Sequence, residues 1–302
     1  MGPVASRQAL LPKENIMPLP ISPAGRRYGR FRDNPYSPAK TRLLLTAPTG
    51  TVLPPKAATS QWMGLIRNQG QEGSCTGQMG AEIRDLLYRK LYLFEQNKSV
   101  APASFEASAS FVYKCNLIAN GNLGQDAGST IHQSFITLNQ YGACLDSEET
   151  YSDSDFTTPP TAVQYTDALI YKGGAYHTLA DLPTIKACIA SGYSCGFGID
   201  VYSSFEGTWA EPGFMPMPNT STEQLLGGHA QHGMDYDDTI EFPDGSTGGV
   251  LVQNSWGGSD IWPMGISAPG RTDGGCYWMP YGFFNSVCVS DIWMIHLGAA
   301  WV

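Results

Sequence analysis

Three short stretches carry side chains whose chemistry is complementary. In residues 68–80, NQGQEGSCTGQMG, Cys75 stands where a helical pattern begins, six residues after Gln69 on a glycine-rich loop. A cysteine attacks a carbonyl as its thiolate. The unpaired N–H groups and dipole at a helix N-terminus favour that charge, so the placement predicts a lowered thiol pKa. The attack creates an oxyanion that needs donors already in place. The Gln69 amide and the Cys75 backbone N–H supply two, with Gln71 as an alternative to Gln69. Taken alone, Cys75 reads as readily as a small residue packed at a helix start, and the glutamines as supports of a tight loop.

A base must come from elsewhere in the chain. Of His132, His177, His229, His232 and His296, His229 follows a glycine pair in GGHAQHGMDYDD. Glycines there let backbone or substrate approach closely. His229 and His232 have opposite parity on a strand, so only one can face a given side of the sheet. A strand histidine can equally be structural. An imidazole base also needs a third group to hold its tautomer and ring angle. Asn254 in QNSWGG offers one, and Trp256 offers a cover that excludes water. An asparagine opening a turn beside a core tryptophan is the plainer alternative.

Elements capable of positioning these groups are visible. Met79, Ile83, Leu86, Leu87 and Leu91 mark one face of a helix starting at Cys75. A second helix is expected over residues 129–141, with Ile131, Phe135 and Leu138 inward. A short one is expected over 181–190, with Asp181 as cap and Pro183 in its first turn. After that the pattern changes to strands. CGFGIDVY alternates, GHAQHGMDYDD is strand-like, and Asp244-Gly245 marks a hairpin whose return strand runs from Val250 to Asn254. GGCYWMPYGFF and VSDIWMIHL are further strands. Helices first and strands later predict an α+β protein. Residues 1–60 form an extension and lead-in, 61–160 a mainly helical lobe and 161–302 a mainly β lobe.

Gln, Cys, His and Asn in this order, each in its own context, resemble the papain-like cysteine peptidases, in a bacterial or viral type of branch. NQGQEGSC is similar to that family's oxyanion and nucleophile segment, GGHAQHGMDYDD to its histidine segment, and QNSWGG to its Asn-Ser-Trp-Gly segment. DAGSTIHQSFITLNQYGACLDSEETY resembles the second helix of non-animal members, and RRYGRFRDNPYSPA their extended lead-in; the likeness spans residues 26–296. It implies two lobes, one helical and one a twisted antiparallel sheet or barrel, with the cleft between them. It implies Cys75 as nucleophile, His229 as base and acid, Asn254 as its orienting partner and Gln69 as oxyanion donor. Gly73, Ser74, Gly128, Ser129, Gly228 and Trp256 would border a protein or peptide substrate. No metal or organic cofactor is implied. The same first half-reaction would serve a transpeptidase or a deamidase, and a silent binding scaffold is a third alternative.

Departures from the family pattern are specific. Glu72 and Thr76 replace the usual disulfide cysteine and aromatic residue beside the nucleophile. Residues 206–227 and 258–275 are longer than usual, as restrictions on the cleft or as surface insertions. A full-length inhibitory propeptide is not expected. Residues 1–25 read as an occluding or targeting segment, which makes self-inhibition by the N-terminal segment an expectation, or as a disordered one.

Composition bounds the rest. The chain has 302 residues, 42% hydrophobic and 15% charged, which describes a globular protein. A net charge of −9 argues against general nucleic-acid binding. Arg26, Arg27, Arg30, Arg32, Lys40 and Arg42 nevertheless cluster near the start, as a solvated segment or as an arm gripping an acidic partner. The seven cysteines match no zinc spacing. No apolar run approaches a membrane span and no export signal is visible, so reduced thiols and a cytoplasmic location are expected.

Overall fold

The computed structural model describes residues 19–33, 44–45, 52–95 and 105–297. Helix α1, Cys75–Lys90, begins at the candidate nucleophile as expected. Its apolar face is buried, but so is the opposite one, and every residue from Cys75 to Leu87 is buried. Helices α2 (Ala109–Ala119) and α3 (Ile131–Gln140) pack against it on one side and the sheet on the other. Gly77 permits this approach, because an added Cβ would lie 2.7 Å from the Tyr113 Cβ and 2.9 Å from the Ala109 carbonyl oxygen. Some of the polar groups enclosed with α1 are paired, while Thr76 Oγ1, Glu82 Oε1 and Arg84 Nε are buried without a hydrogen bond among the described residues. Asp85 accepts from Arg67 at 2.5 Å and from the Ala107 N–H at 2.7 Å, and Arg84 donates to the Phe105 carbonyl at 2.5 Å.

Helix α2 is not predicted from its sequence. Its residues Ala109 to Leu117 are all buried, including Lys114 and Asn116, so no polar stripe reveals the helical period. Its start is conventional: the Ser108 side chain accepts from the Phe111 N–H at 3.0 Å. Helix α3 matches expectation and is capped by Thr130, which accepts from the Gln133 N–H. The short helix α4, Ala162–Ala168, is closed by a Thr161–Gln164 capping box.

Strands β1 (Arg30–Phe31), β2 (Leu44–Leu45), β3 (Lys56–Ala57) and β4 (Ser129–Thr130) are short. The longer ones are β5 (Gly173–Leu179), β6 (Cys195–Tyr202), β7 (Leu225–Glu241), β8 (Thr247–Gln253), β9 (Cys276–Pro280) and β10 (Val289–Leu297). They pair antiparallel in the order β5-β10-β6-β7-β8-β9, with β2 parallel outside β5 and β3 against β7. Among the described residues the two edges do not meet. The fold is therefore an open sheet, and the barrel alternative does not hold. Helix α5, Leu182–Ala190, carries the expected cap, with Asp181 accepting from the Thr184 N–H at 2.9 Å. A turn at Asp244-Gly245 joins β7 to β8, with Gly245 at φ +82°.

Two expectations need correction. The strand expected through residues 274–284 stops at Pro280, which has no N–H for the ladder, and the chain turns into helix α7, Tyr281–Phe284. The long segments 206–227 and 258–275 are not surface ornaments. They bury Trp209, Met215 and Trp262 in the core on the sheet side, where Trp262 meets Trp256 edge-on at 5.7 Å. Before the first of these segments lies the one-turn helix α6, Ser203–Glu206.

Candidate active site

The groups singled out by type and spacing converge at the junction of α1 with the sheet. Cys75 is the first residue of α1, His229 lies on β7, and Asn254 follows β8 directly. His229 Nε2 and Asn254 Oδ1 are 2.9 Å apart. A carbonyl oxygen can only accept, so Nε2 carries the proton and Nδ1 is the bare nitrogen. Nδ1 is buried and has no hydrogen-bond partner among the described residues. Asn254 Oδ1 is itself fixed by the Ser255 N–H at 2.9 Å and by Gln231 Nε2 at 3.4 Å, and the Tyr277 hydroxyl holds Gln231 at 2.9 Å. The Trp256 ring stacks over His229 with centroids 5.1 Å apart. His232 points the other way, as its parity requires, and bonds Gln253 at 3.2 Å. His132 stacks on Trp293 at 4.3 Å, and His177 meets His296 at 5.2 Å.

Gln69 is buried and set. Its Oε1 accepts from the Ser255 hydroxyl at 2.7 Å, which leaves Nε2 to donate to the Glu72 carbonyl at 2.9 Å. One amide hydrogen satisfies that bond, and the second is available. Gln71 is exposed and is no rival. Glu72 is buried and accepts from the Tyr151 hydroxyl at 2.8 Å; burial raises its carboxyl to about 7.

The expected lowering of the Cys75 pKa does not hold. Burial pushes the thiol up to about 11, although the N–H groups of Ala230 and Gly29 and the charge of Arg30 pull it down. Burial likewise pulls His229 down to about 4, against the raising effect of its Asn254 bond. Both groups are neutral in this state. The helix N-terminus is present, but the loss of water outweighs it.

Water is excluded by residues 19–33, which cross the site. Residues 21–27 form a turn closed by an Ile21–Arg27 bridge and held by Glu206, which accepts from the Ser22 hydroxyl at 2.5 Å and the Tyr28 hydroxyl at 2.6 Å. The Arg26 guanidinium lies 4.0 Å over the Trp256 ring, and Tyr28 packs edge-on to His229 at 6.0 Å. Gly29 accepts from the Ser129 N–H at 2.7 Å, bridges to Gly228, and lies so close to the Gly73 carbonyl that any side chain there would collide. Strand β1 then pairs in parallel with β4. Of the arginine-rich arm, Arg26, Arg27 and Arg30 are drawn into the protein and Arg32 stays exposed, while Lys40 and Arg42 lie outside the described residues. Arg30 is 3% exposed, and the acidic partner is the chain's own cleft. The covering stretch extends beyond residue 25, and residues 1–18 lie outside the described ones.

Five of the six expected substrate-bordering residues, Gly73, Gly128, Ser129, Gly228 and Trp256, touch this segment. Ser74 instead turns its hydroxyl to Tyr151 at 2.8 Å. Sequence reasoning missed Gln231, Ser255, Tyr277 and Glu206. Gln231 alone had a signal, since it lies two residues after His229 and shares its face of β7. All seven cysteines are unbridged and buried.

No protein-family model matches the chain. An uncharacterised peptidase C1-like protein of Acanthamoeba polyphaga mimivirus is 27% identical over 239 residues, 76% of this chain and 68% of the relative. Xylellain, a cysteine protease from Xylella fastidiosa, matches with TM-score 0.72 at 25% identity, over 90% of this chain and 96% of its own. A procathepsin B from Trypanosoma congolense matches with TM-score 0.63 at 13% identity, over 90% and 86% of the two chains. In fold this chain is similar to the papain-like cysteine peptidases, and the relative it matches is named peptidase C1-like.

Proposed function

We propose that the chain hydrolyses peptide bonds with Cys75 as nucleophile, His229 as proton carrier, Asn254 as its orienting partner and Gln69 as oxyanion donor. The observation that carries this reading is the His229–Asn254 bond, because it leaves Nδ1 bare on a ring that shares a buried site with the thiol. With a substrate bound, Nδ1 takes the Cys75 proton and the sulfur attacks the peptide carbonyl carbon. The oxyanion meets the second Gln69 amide hydrogen and the Cys75 N–H. The imidazolium returns its proton to the leaving nitrogen as the C–N bond breaks. Water, deprotonated by His229, then attacks the thioester, and the acid leaves as the thiol is restored.

The described state is closed. Residues 19–33 occupy the place of a substrate and present to the thiol a backbone N–H of Gly29, which is no electrophile. Self-inhibition by this segment follows, and activity requires its withdrawal. The test is labelling with an epoxysuccinyl peptide, followed by intact mass and peptide mapping. A single adduct on Cys75, absent in Cys75→Ala and slowed by about 100-fold in His229→Ala, is expected. Adducts spread over the other cysteines, or a rate indifferent to His229, would sink the assignment.

A further inference from the structure

Arg30 enters a pocket that nothing in the catalytic scheme uses. Its guanidinium lies 3.5 Å from Asp200 Oδ1 and 2.5 Å from Asp291 Oδ2, and also bonds the Ser290 hydroxyl. The side chain is 1% exposed, and its Nε has no hydrogen-bond partner among the described residues. The walls are shaped to admit a long side chain. A Cβ on Gly198 would run into the guanidinium, and one on Gly228 would lie 3.1 Å from the Arg30 Cδ and closer still to its carbonyl oxygen. Asp291 is held with φ +55°, the one non-glycine residue at positive φ among the described residues. It lies where the β10–β6 register slips between Ser290 and Trp293, and such bulges re-aim a side chain.

The segment also shows which side of the scissile bond the pocket serves. Arg26 and Tyr28 lie over Trp256 and His229, the side where the leaving nitrogen collects its proton. Gly29 meets the thiol, and Arg30 follows on the far side of it. Arg32 also pairs with Asp200, at 2.6 Å, and leaves with the segment; its withdrawal leaves Asp200 and Asp291 facing a narrow slot beside Cys75, where two partly buried carboxylates demand a cation.

We propose that the Asp200–Asp291 pocket is a specificity site for an arginine or lysine side chain of the substrate, on the acyl side of the cleaved bond, with Arg30 as its intramolecular occupant. The substrate assignment rests on the peptidase reading, whereas the pocket can be tested without catalysis.

The test uses the full chain carrying Arg30→Ala. N-propylguanidinium should raise its melting temperature. It should not do so when Asp200→Asn and Asp291→Asn are added. In the same Arg30→Ala chain, a neutral peptide in which one arginine is scanned position by position should be cleaved at a fixed distance after that arginine. The kcat/KM ratio of arginine over norleucine at that position should fall by about 30-fold or more with both Asp→Asn changes. Cleavage indifferent to arginine, or an arginine preference indifferent to the two carboxylates, overturns the proposal. A thermal shift without any cleavage, in a chain whose Cys75 is open to iodoacetamide and so no longer covered, supports the pocket and overturns the peptidase reading instead. Should Arg30→Ala fail to fold, Arg30→Lys against Arg30→Met makes the same discrimination. Lysine should keep Cys75 protected from iodoacetamide and methionine should not; equal protection overturns the proposal.

Discussion

Asn254 Oδ1 accepts three hydrogen bonds at once, from the His229 ring, the Ser255 N–H and Gln231. This crowding makes the imidazole tautomer a property of the backbone, since Ser255 and the end of β8 cannot move without breaking the sheet. Asn254→Ala should therefore lower kcat/KM by about 10²-fold, with most of the loss in kcat. An unchanged kcat in steady-state kinetics would remove Asn254 from the orienting role. Gln69→Ala should cost about 10²-fold in kcat with little change in KM, and a KM-only effect would count against oxyanion binding. His232 provides a pH prediction of known sign. Burial lowers its pKa to about 4 from an unfolded value of 6.5, opposed by the Gln253 bond. The folded state holds the ring neutral, so its contribution is fully present above pH 6.5 and is lost as pH falls towards 4. The shift corresponds to roughly 3 kcal/mol. Urea midpoints at pH 7 and pH 5 should therefore lie closer together in His232→Gln than in the parent chain. Equal spacing would show that His232 is not the buried neutral group described.

Helix α1 has its first three turns buried on all sides, so its glycines matter more than its apolar face. Gly77→Ala places a methyl 2.7 Å from the Tyr113 Cβ, where backbone and side chain of α2 are already in contact. It should destabilise by about 1–3 kcal/mol, read as a lower midpoint in urea with an unchanged slope; a neutral effect would mean that α2 can back away. The element scale is also where sequence patterns mislead. Helix α2 shows no period because both its faces are covered, and Lys114 and Asn116 find their partners inside the fold, in Glu149, Asp155, Ser134 and Thr137. The strand expected through 274–284 looks continuous in hydrophobicity, but Pro280 ends it.

For the whole molecule the question is what opens the cleft. Glu206 holds Ser22, the Ala24 N–H and Tyr28 from outside the catalytic group. Glu206→Ala should loosen the segment and speed Cys75 alkylation by about 10-fold, as the loss of these three hydrogen bonds implies. As water returns, the pH at which Cys75 becomes reactive should fall from about 11. An alkylation profile identical to that of the parent chain would show that residues 19–33 are not what excludes water.

Much of this site is legible in the linear chain. Residue type and order single out Cys75, His229, Asn254 and Gln69 as candidates, because a nucleophile, a base, an orienting group and an oxyanion donor are each restricted to a few side chains. Strand parity separates His229 from His232, since it needs only the two-residue period of a strand. Helix starts at Cys75 and Asp181 are equally visible, because caps and periodicity are local. Three things depend on tertiary structure. The protonation state of Cys75 is decided by burial, which no local pattern reports. The role of Arg26 to Arg32 is decided by Asp126, which lies 3.9 Å from Arg27, and by Asp200, Glu206 and Asp291, all far away in sequence. The shape of the Arg30 pocket is decided by glycines of β6 and β7 brought together by pairing. A side chain's chemistry is written in its type, but its charge and its partners are set by what the fold packs around it.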